Sequence, residues 1–199
     1  MNLGPYELND IYCGDSAVML AALPDACIDL TVTSPPYDNL RAYNGYSWDF
    51  DAIATQLYRV TKPGGVVVWV VGDATVNGSE TGSSFRQALG FMEIGFNLWD
   101  TMIYQRSNAP LSHNRYEQEF EYMFVVSRGK PETFNGITTK RKYQESKQRT
   151  KTMHRDTNGI YKPSGYTTTS GAVLAPNIWR YATGKGHSDG MSFEHPGSF

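Results

Sequence analysis

Apolar residues in this chain gather into short, nearly unbroken runs, and the stretches between them carry helical periodicity. Cys27-Ile28-Asp29-Leu30-Thr31-Val32 is one such run, and Val66-Val67-Val68-Trp69-Val70-Val71 is another with no polar alternation at all. With Leu98 to Tyr104 and Glu121 to Ser127 they predict strands near 27–33, 66–71, 98–104 and 120–127, and a shorter one near 10–13. A run as continuous as 66–71 is expected to be covered on both faces, as in a parallel sheet between helices. Helices are expected from the Gly14-Asp15 turn through about Ala22, from Asp49 to Val60, and from Phe85 to Gly95. The second places Phe50, Ile53, Ala54, Leu57 and Tyr58 on one face. Thr61-Lys62-Pro63-Gly64-Gly65 is read as the stop that follows it. Strands alternating with helices make this an α/β chain.

The run at 27–33 ends in Ser34-Pro35-Pro36-Tyr37. Neither proline has an N–H and each fixes φ, so the backbone leaves the sheet as a stiff loop. Ser34 presents a hydroxyl and Tyr37 an aromatic face. A rigid loop with a polar acceptor and a stacking ring suits a planar, amine-bearing ring, such as a base taken out of nucleic acid for chemistry on its exocyclic nitrogen. By themselves the same residues also describe an ordinary strand-to-loop turn.

The surroundings carry a resemblance. "Gly14-Asp15, helix, Leu23-Pro24-Asp25, strand, Ser34-Pro35-Pro36-Tyr37" is similar to the opening of the amino-group DNA methyltransferases, and "helix, Lys62-Pro63-Gly64-Gly65, strand" recurs among methyltransferases. The resemblance implies a partial Rossmann-like, S-adenosylmethionine-dependent methyltransferase sheet. It also implies methyl transfer to the N4 of cytosine or the N6 of adenine, with Ser34 in place of Asp leaning towards cytosine. Ser34, Pro35, Pro36 and Tyr37 would form the catalytic loop. Gly14, Asp15, Ser34 and Phe199 would face S-adenosyl-L-methionine. Asp15 equally fits a helix N-cap, and the two roles are compatible. The segment from Tyr104-Gln105-Arg106-Ser107-Asn108 through Arg115 to Glu119-Phe120-Glu121 resembles the flank of the target-base pocket, with Asn108, Arg115 and Glu119 as its pocket or DNA-backbone residues or as solvated hairpin residues.

Charge alters this picture in one respect. The net charge of −2 is unusual for a DNA binder, yet residues 1–80 hold three basic and ten acidic side chains, whereas 137–163 hold eight basic ones against Glu145 and Asp156. Lys140, Arg141, Lys142, Lys147, Arg149 and Lys151 lie in that polar, Thr- and Gln-rich window, which is expected to be a long loop or partly disordered insert. It reads as a phosphate-contacting loop or as a solvated linker. The resemblance favours the first, with double-stranded DNA as partner. The expected organisation is a catalytic half over 1–136, a basic target-recognition insert over 137–170, and the start of a cofactor half over 171–199.

Cys13 and Cys27 fall in or beside expected strands and read as core thiols of a reducing compartment. Four scattered histidines have no ligand spacing, so no metal is expected. No run of eighteen apolar residues occurs, so no membrane span is expected. The resemblance implies the cytoplasm of a prokaryotic or phage-infected cell and a restriction-modification setting.

Glu194-His195-Pro196-Gly197-Ser198-Phe199 resembles the element that leads into the cofactor strand of the permuted, beta-type members. The glycine-rich turn that normally follows is not seen; Gly78-Ser79 and Gly82-Ser83 lie between a loop and a helix and do not match it. The resemblance therefore implies a chain cut off before the main cofactor pocket, with an open sheet edge and an uncovered apolar face, and possible completion by a C-terminal polypeptide. Two other readings stand beside the enzyme: an inactive, DNA-binding or split-enzyme subunit, and a methyltransferase for RNA or protein amides.

Overall fold

A computed structural model of the chain describes residues 1–37, 48–106, 115–140, 153–163 and 172–181. The elements, in chain order, begin with β1 (Asn2–Leu3), β2 (Tyr6–Glu7), α1 (Ser16–Ala21), β3 (Ile28–Thr33), α2 (Phe50–Val60) and β4 (Thr61–Val71). Then come β5 (Thr75–Val76), β6 (Ser79–Glu80), α3 (Ser83–Ile94), β7 (Asn97–Arg106) and β8 (Phe120–Ser127). The last are β9 (Thr138–Lys140), β10 (Met153–Arg155), β11 (Tyr161–Pro163), β12 (Ala172–Leu174) and β13 (Ile178–Tyr181).

The chain divides into two compact units, 1–134 with 177–199, and 135–176. The larger unit is built on a five-stranded mixed sheet in the order β13-β7-β8-β4-β3. β3 runs parallel to β4 and β13 parallel to β7, while β8 is antiparallel to both β4 and β7. In consequence the carboxyl ends of β3, β4, β7 and β13 and the start of β8 all reach the same rim of the sheet. The four main strands and three helices lie close to where the apolar pattern predicts them, which makes the α/β Rossmann-like class a property of this structure.

α2 and α3 cover one face. Val67, Trp69 and Val71 of β4 point into a core with Ala54, Leu57, Ala88, Phe91, Phe96, Phe124 and Val126. The rings meet edge to face: Phe91 lies 5.0 Å from Trp69 and 5.1 Å from Phe50, a geometry aromatic quadrupoles favour. Gly90 permits the contact, since a Cβ there would stand 2.6 Å from Phe50 Cε1. On the opposite face Val70, Tyr104 and Met123 form a smaller cluster with Val68, Met102 and Trp179. Towards the β3 edge that face is open, with Leu30 59% and Val32 51% exposed. β4 is thus buried on both faces, at Val67, Trp69 and Val71 on one and at Val70 on the other, although among the described residues helices cover only the first.

The Thr61–Gly65 segment stops α2, as expected, with Thr61 as its C-cap, and is itself the start of β4. α2 runs directly into β4, and the Gly64 N–H donates to the Arg128 carbonyl at 2.7 Å while the Arg128 N–H donates to Gly65 at 3.1 Å. Gly64 has φ 79° and a Cβ there would meet Glu132 at 2.4 Å, so only glycine fits. Arg128 closes the junction: its Nη1 donates to Thr61 at 2.8 Å, and its guanidinium lies over the Tyr58 ring at 4.8 Å. Arg59 does the same for the end of α1, donating to the carbonyls of Leu20 and Leu23, each at 2.8 Å.

Residues 10–13 are not a strand. Ile11 is 95% exposed and Cys13 is exposed, which corrects the reading of Cys13 as a core thiol. Cys27 is half-buried, and burial pushes its thiol above the ordinary range. In the smaller unit β9 pairs antiparallel with β12 and β10 with β11, so short ladders stand where a loop is expected. Among the described residues no helix is long and apolar enough to cross a membrane, and no group of three or more His, Cys, Asp or Glu could hold a metal.

Candidate active site at the carboxyl rim of the sheet

Ser34 follows β3 directly, exposed, and Pro35, Pro36 and Tyr37 behind it are half-buried. The loop thus leaves the carboxyl end of a parallel strand, where open α/β sheets place their ligands. The Tyr37 ring lies over the backbone of Gly72, just past β4. Its hydroxyl donates to Glu121 Oε2 at 2.9 Å and stands 2.7 Å from Ser34 Oγ. A carboxylate can only accept, so the single phenolic proton goes to Glu121 and the Ser34 hydroxyl donates to Tyr37. Ser34 Oγ is then left with its lone pairs free to accept. Burial pushes the Tyr37 phenol well above the ordinary tyrosine range; the Ser34 bond opposes this and the Glu121 charge adds to it.

Glu121, 9% exposed, is the charged side chain in an otherwise apolar strand. It is paired with Arg106 Nη1 at 3.4 Å, and Arg106 Nη2 donates to the Gln118 carbonyl at 2.8 Å. Glu121 and Arg106 fall within the segment expected to flank the target-base pocket, but sequence reasoning assigned neither of them a role. The signal that could have found the first is a lone carboxylate inside an apolar strand, which must have a partner.

Asp73, two residues past β4, is a second carboxylate at the rim. It accepts from the Ser84 N–H at 2.9 Å, the Ser84 hydroxyl at 2.5 Å and the Ser83 hydroxyl at 3.1 Å. Burial raises its pKa, but the bonds from Ser84, Ser83 and Thr81 outweigh it and leave the carboxyl below its ordinary value. The Gly78-Ser79 pair belongs to the β5–β6 hairpin, where Asn77 and Gly78 take φ 50° and 78°, the two positive angles of a tight hairpin turn.

Of the residues expected to face the cofactor, Asp15 caps α1 by accepting from the Val18 N–H at 3.1 Å. Gly14 lines a cavity of about 420 Å³ with Leu3, Tyr6, Asp10, Tyr12 and Met19. That volume lies within the range of small-molecule sites. Tyr6 and Tyr12 are 4.8 Å apart, and Tyr12 holds the β1–β2 hairpin by accepting from the Glu7 N–H at 2.6 Å. Phe199 lies outside the described residues.

Of the residues expected to meet DNA, Arg115 turns to the β5–β6 hairpin, donating to the Gly78 carbonyl and lying 3.9 Å from Glu80. Lys140 ends β9. Asn108, Arg141, Lys142, Lys147, Arg149 and Lys151 lie outside the described residues.

A mixed α/β sheet with a Ser-Pro-Pro-Tyr loop at its carboxyl rim is the frame of the site. The DNA methylase family model matches residues 28–199, and the chain belongs to that family of amino-group-specific, S-adenosylmethionine-dependent DNA methyltransferases. It is 52% identical over 188 residues to the orphan methyltransferase M.BamHII of Bacillus amyloliquefaciens, covering 88% of this chain and 68% of that one. To the type II methyltransferase M.MthZI of Methanothermobacter thermautotrophicus it is 29% identical over 178 residues, covering 68% of this chain and 49% of the relative. The fold matches that of the PvuII DNA methyltransferase (cytosine-N4-specific) with a TM-score of 0.56 at 16% identity, over 89% of this chain and 58% of the other. The chain thus spans only part of the length of each.

Proposed function

We propose that this chain carries the catalytic loop of a site-specific DNA methyltransferase acting on the exocyclic amine of a flipped base, cytosine N4 first and adenine N6 as the alternative. The observation that carries the reading is the Ser34–Tyr37 loop at the carboxyl end of β3, with Ser34 Oγ left as an acceptor by its bond to Tyr37. S-adenosylmethionine supplies an electrophilic methyl group. The chain supplies position. Tyr37 stacks on the extruded base. Ser34 Oγ and the Pro35 carbonyl accept from the amine N–H groups and turn the nitrogen lone pair towards the methyl group. Preorganised acceptors and orientation provide the acceleration, with no covalent intermediate. The cavity beside Gly14 would hold the adenosine, and the basic 137–163 window would meet phosphates.

A second reading is favoured by the β3 edge, where Leu30 and Val32 are exposed and one side of the strand has no ladder partner among the described residues. It is that further polypeptide, carrying the glycine-rich turn, pairs with β3 and completes the cofactor site. The two readings are separated by one assay. Tritiated S-adenosylmethionine and duplex DNA are incubated with the 199 residues alone and with such a polypeptide added, and the labelled nucleoside is identified by chromatography. Label on N4-methylcytosine or N6-methyladenine supports the enzyme and fixes the base. Label that appears only on addition supports completion in trans. No label in either arm, or label on carbon 5, RNA or protein, overturns the functional proposal.

A further inference from the structure

We propose that Glu121 governs the methyl transfer from a distance, through a hydroxyl relay Ser34–Tyr37–Glu121 that makes Ser34 an acceptor and carries the displaced amine proton away. The inference rests on the functional reading above and deepens it.

The three groups come from distant parts of the chain: Ser34 and Tyr37 from the loop after β3, Glu121 from the start of β8, 84 residues beyond Tyr37. Their spacings, 2.7 Å and 2.9 Å, form a continuous hydrogen-bonded chain. Its polarity has one solution. Glu121 accepts from Tyr37, so Tyr37 accepts from Ser34, so Ser34 has no proton to offer a substrate. A serine hydroxyl by itself rotates and can donate as readily as accept. Donating to the amine nitrogen would occupy the lone pair that must attack. The buried carboxylate removes that option through an intervening phenol.

The same chain closes the proton balance. The amine nitrogen's lone pair forms the N–CH₃ bond as the S–CH₃ bond breaks, and the bonding pair stays on sulfur, which becomes a neutral thioether. The nitrogen, now cationic, loses one proton to Ser34 Oγ. Ser34 passes its own proton to Tyr37, and Tyr37 passes its own to Glu121. Serine and tyrosine end as they began, and Glu121 returns the proton to solvent. Arg106, 3.4 Å away, holds the carboxylate in place. Glu121 is therefore a positioning and proton-receiving residue that touches no substrate atom.

The test uses the full-length enzyme with any completing polypeptide, a duplex substrate with 2-aminopurine at the target, and tritiated cofactor. Tyr37→Phe keeps the ring and cuts the relay; Glu121→Gln keeps the acceptor for Tyr37 but takes up no proton. Both should slow single-turnover transfer by about 10²-fold, the scale of a missing acid–base group, with base flipping and DNA affinity unchanged. The double variant should be no slower than either alone. The solvent deuterium isotope effect of the wild type should collapse towards unity in both. Wild-type rates in the two variants, additive losses, or an unaltered isotope effect would overturn the relay while leaving the methyltransferase reading intact. A wild-type enzyme that transfers no methyl group overturns that reading and the relay with it.

Discussion

Asp73, just beyond β4, accepts from the backbone N–H of Ser84 at 2.9 Å and so caps α3 from outside the helix. The helix's own N-cap residue is Gly82, at φ 64°, which has no side chain to do so. One of the orphan N–H groups of the first turn is therefore satisfied from the end of β4. That bond ties α3 to the rim that also carries Tyr37 and Glu121.

Removing this cap should destabilise the protein. Asp73→Ala is expected to cost about 1–2 kcal/mol, the upper range for removal of a cap, read as a lower urea midpoint. The effect should depend on pH. The folded-state pKa of Asp73 is depressed, so its contribution is fully present above the unfolded carboxyl value near ~4 and fades as pH falls through the lower, folded value. Wild type and variant should thus converge in acid; a difference that grows as pH falls below the ordinary carboxylate range would remove the ionised cap from the account.

Ser34→Ala should lower methyl transfer by roughly 10²–10³-fold, the usual loss for one preorganised bond at a reacting centre. DNA affinity should barely change, because Ser34 is a single exposed hydroxyl at the rim. Single-turnover assays paired with gel-shift titration check this, and equal turnover in the two proteins would take Ser34 out of the mechanism.

Neutralising Lys140, Arg141, Lys142, Lys147, Arg149 and Lys151 should weaken DNA binding and flatten its salt dependence. Each phosphate that keeps its counterions in the variant should reduce the slope of log affinity against log salt by about 0.9. An unchanged slope would make the segment a solvated linker.

Gly90→Val should be strongly unfavourable. The first added carbon would stand 2.6 Å from the Phe50 ring, and overpacking of this kind costs about 1–3 kcal/mol. Gly78→Ala, in open space but at φ 78°, should cost through backbone conformation alone. Urea unfolding of the pair separates steric from conformational cost, and equal, negligible losses would contradict the tight α2–α3 approach.

Much of this protein is written locally. β3, β4, β7, β8 and the three helices coincide with apolar runs and periodicities because each depends on neighbours within a few residues, and the Ser-Pro-Pro-Tyr loop stands at a strand end because two consecutive prolines remove two ladder donors in a row. Asp15 caps α1 for the same short-range reason. What the sequence left open depends on the meeting of distant residues. Lys62-Pro63-Gly64-Gly65 looks like a turn, yet it becomes strand because Arg128 arrives to pair with it. Ile11 and Cys13 look like strand residues, yet they join no strand and stand exposed. Above all, Glu119 and Glu121 are nearly equivalent in the sequence. Only the register of β8 against β7, which sets Glu121 opposite Tyr104, decides which carboxylate faces Tyr37. The two carboxylates are two residues apart and so share a face of the strand, and a two-residue slip would have exchanged their places at the rim; the register is fixed by the pairing of whole strands rather than by any residue within them.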